Sequence, residues 1–259
     1  MRQLSQVELA QFLIEKADQY AKFSFVQDDP IQIPHAFSSA EDIEISALIA
    51  ATLSWGNRKT IIAKSNDLMD RMDRSPAEFI RSASESDLEA FNGFVHRTFQ
   101  SEDIKGLARG LKMLYQEYES LGAFFKAHVR DGDAHLGHTF QAFKGYLLSN
   151  GLPLRAGKHF GDPSKGSACK RLIMFTRWMV RSNKEGIDFG LWDIDPALLS
   201  LPLDVHSGRV ARSLNLLKRK QNDWKAVEEL DQSIRKIAPN DPARLDYALF
   251  GLGVYEGWK

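Results

Sequence analysis

A chain of 259 residues, 43% apolar and 10% aromatic, is long enough to bury one large core or the cores of two small lobes. Lysine plus arginine and aspartate plus glutamate balance at 34 each, so the chain as a whole carries no electrostatic footprint for nucleic acid or a membrane surface. The single cysteine, Cys169, excludes an intramolecular disulfide and any four-cysteine zinc or iron–sulfur site, and points to a reducing cytoplasm.

Apolar residues recur with a 3.6-residue period along almost every segment and no segment alternates convincingly, so the expected fold class is all-α. In chain order the pattern predicts helices over about 7–22, 40–53, 59–72, 103–119, 121–129, 138–148, 167–181, 205–214, 223–237 and 242–252, with shorter ones near 76–82 and 86–92. Met1–Glu8 lacks the apolar region of a secretory signal, and the longest nearly apolar run, Ile45–Trp55, is too short to span a bilayer; no membrane insertion is expected. Ser39 reads as an N-cap with Glu41 and Asp42 in the first turn behind it, and Asp241 as a cap before Pro242. Gly56 ends the apolar helix, leaving Trp55, Asn57 and Arg58 at a turn, where they read as core plug and cap or as base-stacking and gap-filling groups. The glycine-rich and proline-rich stretch from Ser149 to Ser167 is the most conspicuous linker.

Charge is uneven in the second half. Between Arg155 and Lys184 stand eight basic residues (Arg155, Lys158, Lys165, Lys170, Arg171, Arg177, Arg181, Lys184) against one acid, Asp162, which marks where an anionic partner would lie. Lys170 opens a helix whose Leu172, Phe175, Trp178 and Met179 form an apolar stripe, and Arg171, Arg177 and Arg181 stand near enough in sequence to press on its charge. Asp204 follows Leu201-Pro-Leu and opens the next helix, where it reads as an N-cap; a carboxylate held there is also rigid and ionised, as charge stabilisation requires. His206 and Arg209 lie one turn beyond it, as structural residues or as phosphate contacts. His128, Asp131, Asp133, His135 and His138 form the one cluster with metal-ligand chemistry, which reads equally as a loop and cap between helices. The Lys218-Arg-Lys220 run reads as a solvated loop or a phosphate track.

Together these motifs resemble the helix-hairpin-helix DNA glycosylases. Gly166-Ser167-Ala168-Cys-Lys170 is similar to their hairpin, in which glycines precede the catalytic lysine by four and two positions; Gly166 matches the first and Ala168 replaces the second. Pro202-Leu-Asp204-Val-His206-Ser-Gly-Arg209-Val is similar to their Val-Asp-Thr-His-Val-x-Arg-Val segment, and the 34-position separation of Lys170 from Asp204 lies near that of the archaeal 8-oxoguanine glycosylases. Ile45–Arg58 resembles the early helix ending in a DNA-penetrating loop, with Asn57 where a residue enters the gap left by the flipped base, and Asp246–Gly253 resembles the last core helix.

The resemblance implies a two-lobed helical fold. A central bundle would span about 40–150, and a second lobe 1–39 and 151–259 with its hairpin at 161–181; the cleft between them would hold Lys170 as nucleophile and Asp204 as charge stabiliser or proton acceptor. It implies duplex DNA with a damaged base, such as an oxidised purine, as partner. Trp55, Asn57, Arg58, Lys165, Gly166, Ser167, Ala168, Arg171, His206 and Arg209 would contact it, and neither metal nor cofactor would be required. The whole chain also resembles an uncharacterised bacterial family sharing Asp29-Pro30, Pro34-His35, Ala168-Cys-Lys-Arg-Leu and Leu201-Pro-Leu-Asp-Val-His. Two rival readings stand beside excision: a nucleic-acid-binding protein on the same fold without catalysis, and a metal-dependent hydrolase built on the His128–His138 cluster.

Overall fold

A computed structural model describes residues 5–258; Met1–Leu4 of the segment read for a signal lie outside them. The protein is all-α. Its helices are α1 (Gln6–Tyr20), α2 (Ala40–Leu53), α3 (Arg58–Arg71), α4 (Pro76–Ser82), α5 (Ser101–Tyr118), α6 (Leu121–Ala127), α7 (Gly137–Ser149), α8 (Lys170–Val180), α9 (Val205–Ser213), α10 (Trp224–Ile234) and α11 (Leu245–Val254). Short 3₁₀ turns connect them. Among the described residues no helix is long and apolar enough to cross a membrane.

The apolar run from Ile43 to Leu53 becomes α2, a helix buried on every face, as a sequence without a polar stripe must be. It packs on α8, α3 and α4. Glu44 is the one charge inside it, and four donors hold its carboxylate: Tyr115 Oη at 2.8 Å, the amides of Leu121 and Gly122 at 3.0 Å, and Trp192 Nε1 at 2.6 Å. That carboxylate therefore anchors the N-terminus of α6 to the core. The first and last helices, α1 and α11, lie against each other, and α11 lies on α9; α5 packs on α4, α6 and α7. One continuous apolar cluster runs through both halves of the chain, from Leu13 to Leu252.

Several expectations change. A two-residue antiparallel pair, β1 (Val95–His96) with β2 (Phe99–Gln100), interrupts the helices; strands this short leave no alternation to read. The Ser149–Ser167 stretch is no free linker, because its 3₁₀ turns bury Ala156, Gly157, His159, Phe160 and Pro163. Asp241 does not cap with its side chain: the carboxylate takes both Nε and Nη2 of Arg181 instead, at 3.0 and 2.9 Å. Ser39 caps α2 as expected, accepting from the Asp42 amide at 3.2 Å.

Candidate functional site

The turn before α8 is a tight one, closed by two left-handed residues. Asp162 caps the 3₁₀ turn Pro163–Lys165 through the Ser164 amide at 3.1 Å, and Gly166 closes it in the left-handed conformation, φ +79°. The Gly166 carbonyl then accepts from the Trp224 amide at 3.1 Å, and Ser167 bridges to Asp223, which fixes the hairpin to the start of α10. Cys169, also left-handed at φ 50°, turns the chain into α8 and places Lys170 on its first residue.

Asp204 is the N-cap of α9. Its Oδ1 accepts from the amides of His206 at 2.8 Å and Ser207 at 2.9 Å, and its Oδ2 accepts from Lys170 Nζ at 2.8 Å. The two side chains, remote in sequence, thus form an ion pair that is 38% exposed on the lysine side and 29% on the aspartate side. Burial pushes the Asp204 carboxyl up, but the Lys170 ammonium and the hydrogen bonds from Lys170, Ser207 and His206 outweigh it and hold the group below its ordinary value.

Lys170 and Asp204 form part of the wall shared by two adjoining clefts, together with Trp55 and His206. The deeper, of about 530 Å³, reaches Asp29, Arg58, Asp246 and Phe250; the shallower, of about 740 Å³, reaches Thr98, His159, Ala168 and Arg171. Trp55 stands between them as a half-buried plate. The Arg171 guanidinium lies 4.9 Å from its ring centre, the His159 ring 5.0 Å away, and the His96 ring 4.7 Å away edge-on. Arg171 also donates to the Thr52 carbonyl at 2.8 Å, and burial brings its guanidinium down to about 10. Burial, then the charges of Arg171 and Lys158, brings His159 down to about 4, so its imidazole is neutral at pH 7.

Of the other expected contacts, Asn57 is exposed and caps α3 through the Thr60 amide at 3.3 Å, while the Arg58 guanidinium rests 5.8 Å from the Phe250 ring. Lys165 and Gly166 are exposed on the hairpin, Ser167 Oγ accepts from the Cys169 amide at 3.2 Å, and Ala168 packs partly against the core. His206 is exposed at the cleft rim. Arg209, also exposed, has no ion pair among the described residues and shares a basic hollow of about 660 Å³ with Arg212 and Lys220.

The basic segment is less available than its composition suggests. Arg177 and Arg181 are 2% and 3% exposed and are neutralised by Asp188, Asp246 and Asp241, and Arg155 pairs with Asp103 at 3.1 Å. These arginines answer carboxylates of the fold, and Lys158, Lys165 and Lys184 remain exposed. The His128–His138 cluster does not assemble. His128 Nδ1 meets the Phe124 carbonyl at 2.8 Å, His138 meets Asp133 at 2.9 Å, and His135 faces Glu228 at 3.5 Å; among the described residues no group of three or more such side chains is placed to hold a metal. In the Lys218–Lys220 run the backbone folds back on α10, the Lys218 amide donating to Glu229 at 2.6 Å.

Sequence reasoning missed Asp29, Asp246 and His159 as cleft residues. Asp246 stood inside the quoted last helix and Asp29 before a proline, but nothing local says that either reaches Lys170. No curated protein and no solved structure matches this chain. The stretch 29–255, which carries Asp29, Lys170, Asp204 and Asp246, matches the model of a family described as Protein of unknown function (DUF2400), and the chain belongs to that family.

Proposed function

We propose that this protein is a DNA glycosylase that excises a damaged base from duplex DNA, with oxidised purines such as 8-oxoguanine the first lesions to test. The observation that carries the reading is the 2.8 Å approach of Lys170 Nζ to Asp204 Oδ2 at the wall of a cleft of about 530 Å³. Cleaving an N-glycosidic bond builds positive charge on the sugar, which a rigid carboxylate stabilises, and an amine beside it can take the sugar carbon as a covalent adduct. Trp55, with Arg171 over its ring, lines both clefts as an aromatic wall for an everted base, and Lys158, Lys165 and Arg209 offer exposed cations for phosphates. The buried thiol of Cys169, which burial pushes up to about 12, fits a reducing cytoplasm.

Borohydride trapping against a panel of lesion-bearing duplexes tests it. Wild type is expected to give a covalent adduct with at least one lesion, Lys170→Ala none, and Asp204→Asn a rate lower by about 10²–10³. Asn still caps a helix, so that variant keeps its fold. An adduct that persists in Lys170→Ala refutes the assignment. A second reading, binding without excision, is favoured by the resting Lys170, whose amine is engaged by Asp204; it requires tight duplex binding and no base release from any lesion.

A further inference from the structure

In the excision reading one proton has no destination. Lys170 is held as an ammonium against Asp204 and attacks carbon only after losing that proton. Asp204 is a poor acceptor: Oδ1 already takes two amides and Ser207 Oγ at 3.2 Å, Oδ2 takes Lys170, and the group lies below the ordinary carboxylate range. A base of higher proton affinity in the same cavity is needed.

Asp246 meets that requirement by position. It stands on the first turn of α11, 13% exposed at the side chain, lines the 530 Å³ cleft with Lys170 and Asp204, and is held in place by the Arg177 guanidinium through Oδ2. The charged groups facing it are Lys170 and Arg177 from α8, Asp204 and His206 from α9, Asp29 from the turn at Pro30, and Arg58 from α3. On the opposite face of α11, Lys16 and Asp18 of α1 are engaged by Glu256 and Arg244. Burial raises the Asp246 carboxyl against the Arg177 charge, with the Asp204 charge adding to the rise, to about 6.

Resting on the glycosylase reading, we propose that Asp246 is the catalytic residue that takes the proton from Lys170 and returns it to the departing base. The Lys170 ammonium gives one proton to the Asp246 carboxylate, and the freed lone pair forms the Nζ–C1′ bond. The bond from C1′ to the base nitrogen breaks with its electron pair leaving on the base, and the Asp246 carboxyl protonates that nitrogen and returns to carboxylate. Asp204 stays ionised throughout, opposite the charge on the sugar.

The pH dependence of borohydride trapping in wild type, Asp246→Asn and Asp29→Asn tests the assignment. The wild-type rate is expected to fall about tenfold per pH unit below pH ~6, and Asp246→Asn to lose about 10²-fold at pH 7.5 together with that acid limb. An acid limb that persists in Asp246→Asn, or that disappears only in Asp29→Asn, overturns the proposal while leaving excision by Lys170 intact. Wild type forming no Lys170 adduct at all overturns the glycosylase reading instead. The coupling is then read without DNA, by reductive methylation of Lys170 with ¹³C-formaldehyde. The methyl resonance is expected to shift with an inflection near pH ~6 in wild type and not in Asp246→Asn; its absence in wild type, or its survival in the variant, defeats the proposal.

Discussion

His159 is the clearest case of one side chain whose chemistry is set by where it is packed. Its ring lies against Trp55 and Phe99, 4% exposed, and burial brings it down to about 4 from an unfolded value near ~6.5. Between those values the unfolded chain binds the proton that the folded chain refuses, so stability falls as pH drops from about 6.5 towards 4, and the contribution is fully present only above that window. The loss is on the order of 2–3 kcal/mol. His159→Phe keeps the ring and deletes the titration. Urea midpoints at pH 7 and pH 4.5 are expected to differ less in the variant than in wild type; equal losses in both would mean that the imidazole is already charged in the fold.

At the scale of the element, the hairpin before α8 separates two kinds of glycine. Gly166 needs its left-handed backbone but faces open space, so Gly166→Ala is expected to cost only about 1 kcal/mol. A Cβ at Gly161 would lie 2.7 Å from Cys169 Sγ and 2.9 Å from the Cys169 Cα, so Gly161→Ala pushes on the turn that positions Lys170 and is expected to cost about 2–3 kcal/mol. Thermal melts that rank the two variants the other way would show the turn to be looser than its packing indicates. The helices were legible to within a few residues where the apolar signal was strong: in α8 and α9 one buried stripe dictates a period, and in α2 a continuous apolar run between the Ser39 cap and Gly56 marks a fully buried helix. The short helix expected near 86–92 is a 3₁₀ turn, Asp87–Phe91, and the other 3₁₀ turns between helices and the hairpin of β1 and β2 were not read, since none is long enough to repeat an apolar spacing. Of the site, Lys170 and Asp204 could be read because a small-residue turn and a proline-introduced cap announce them locally. Asp29, Asp246 and His159 are joined to them only by tertiary packing, which leaves no mark in any single window.

For the whole molecule, the decisive contact is between the two end helices. Gly251 of α11 lets the Tyr20 ring of α1 lie on its backbone; a Cβ there would overlap the Tyr20 ring. Gly251→Ala is therefore expected to lift α1 and to cost more than about 2 kcal/mol, seen as faster amide hydrogen exchange in α1 and α11 while α5 stays protected. Uniform acceleration across all helices would argue instead for global unfolding. Arg181→Met probes the neighbouring buried charges. It leaves Asp188, which also accepts from Tyr247 Oη at 2.8 Å, with the longer 3.4 Å pair to Arg177 alone and takes Arg181 from Asp241, and is expected to cost about 3 kcal/mol in urea unfolding.

The cleft draws Asp29 from one end of the chain and Asp246 from the other, with the amine and its partner carboxylate lying between them in sequence. During synthesis a polypeptide released as far as α9 already holds Lys170 and Asp204 but has neither the floor of the cavity nor the group proposed to carry its proton. On the proposed function, chemical competence would arrive only with the final docking step, so a nascent or truncated chain would be inert.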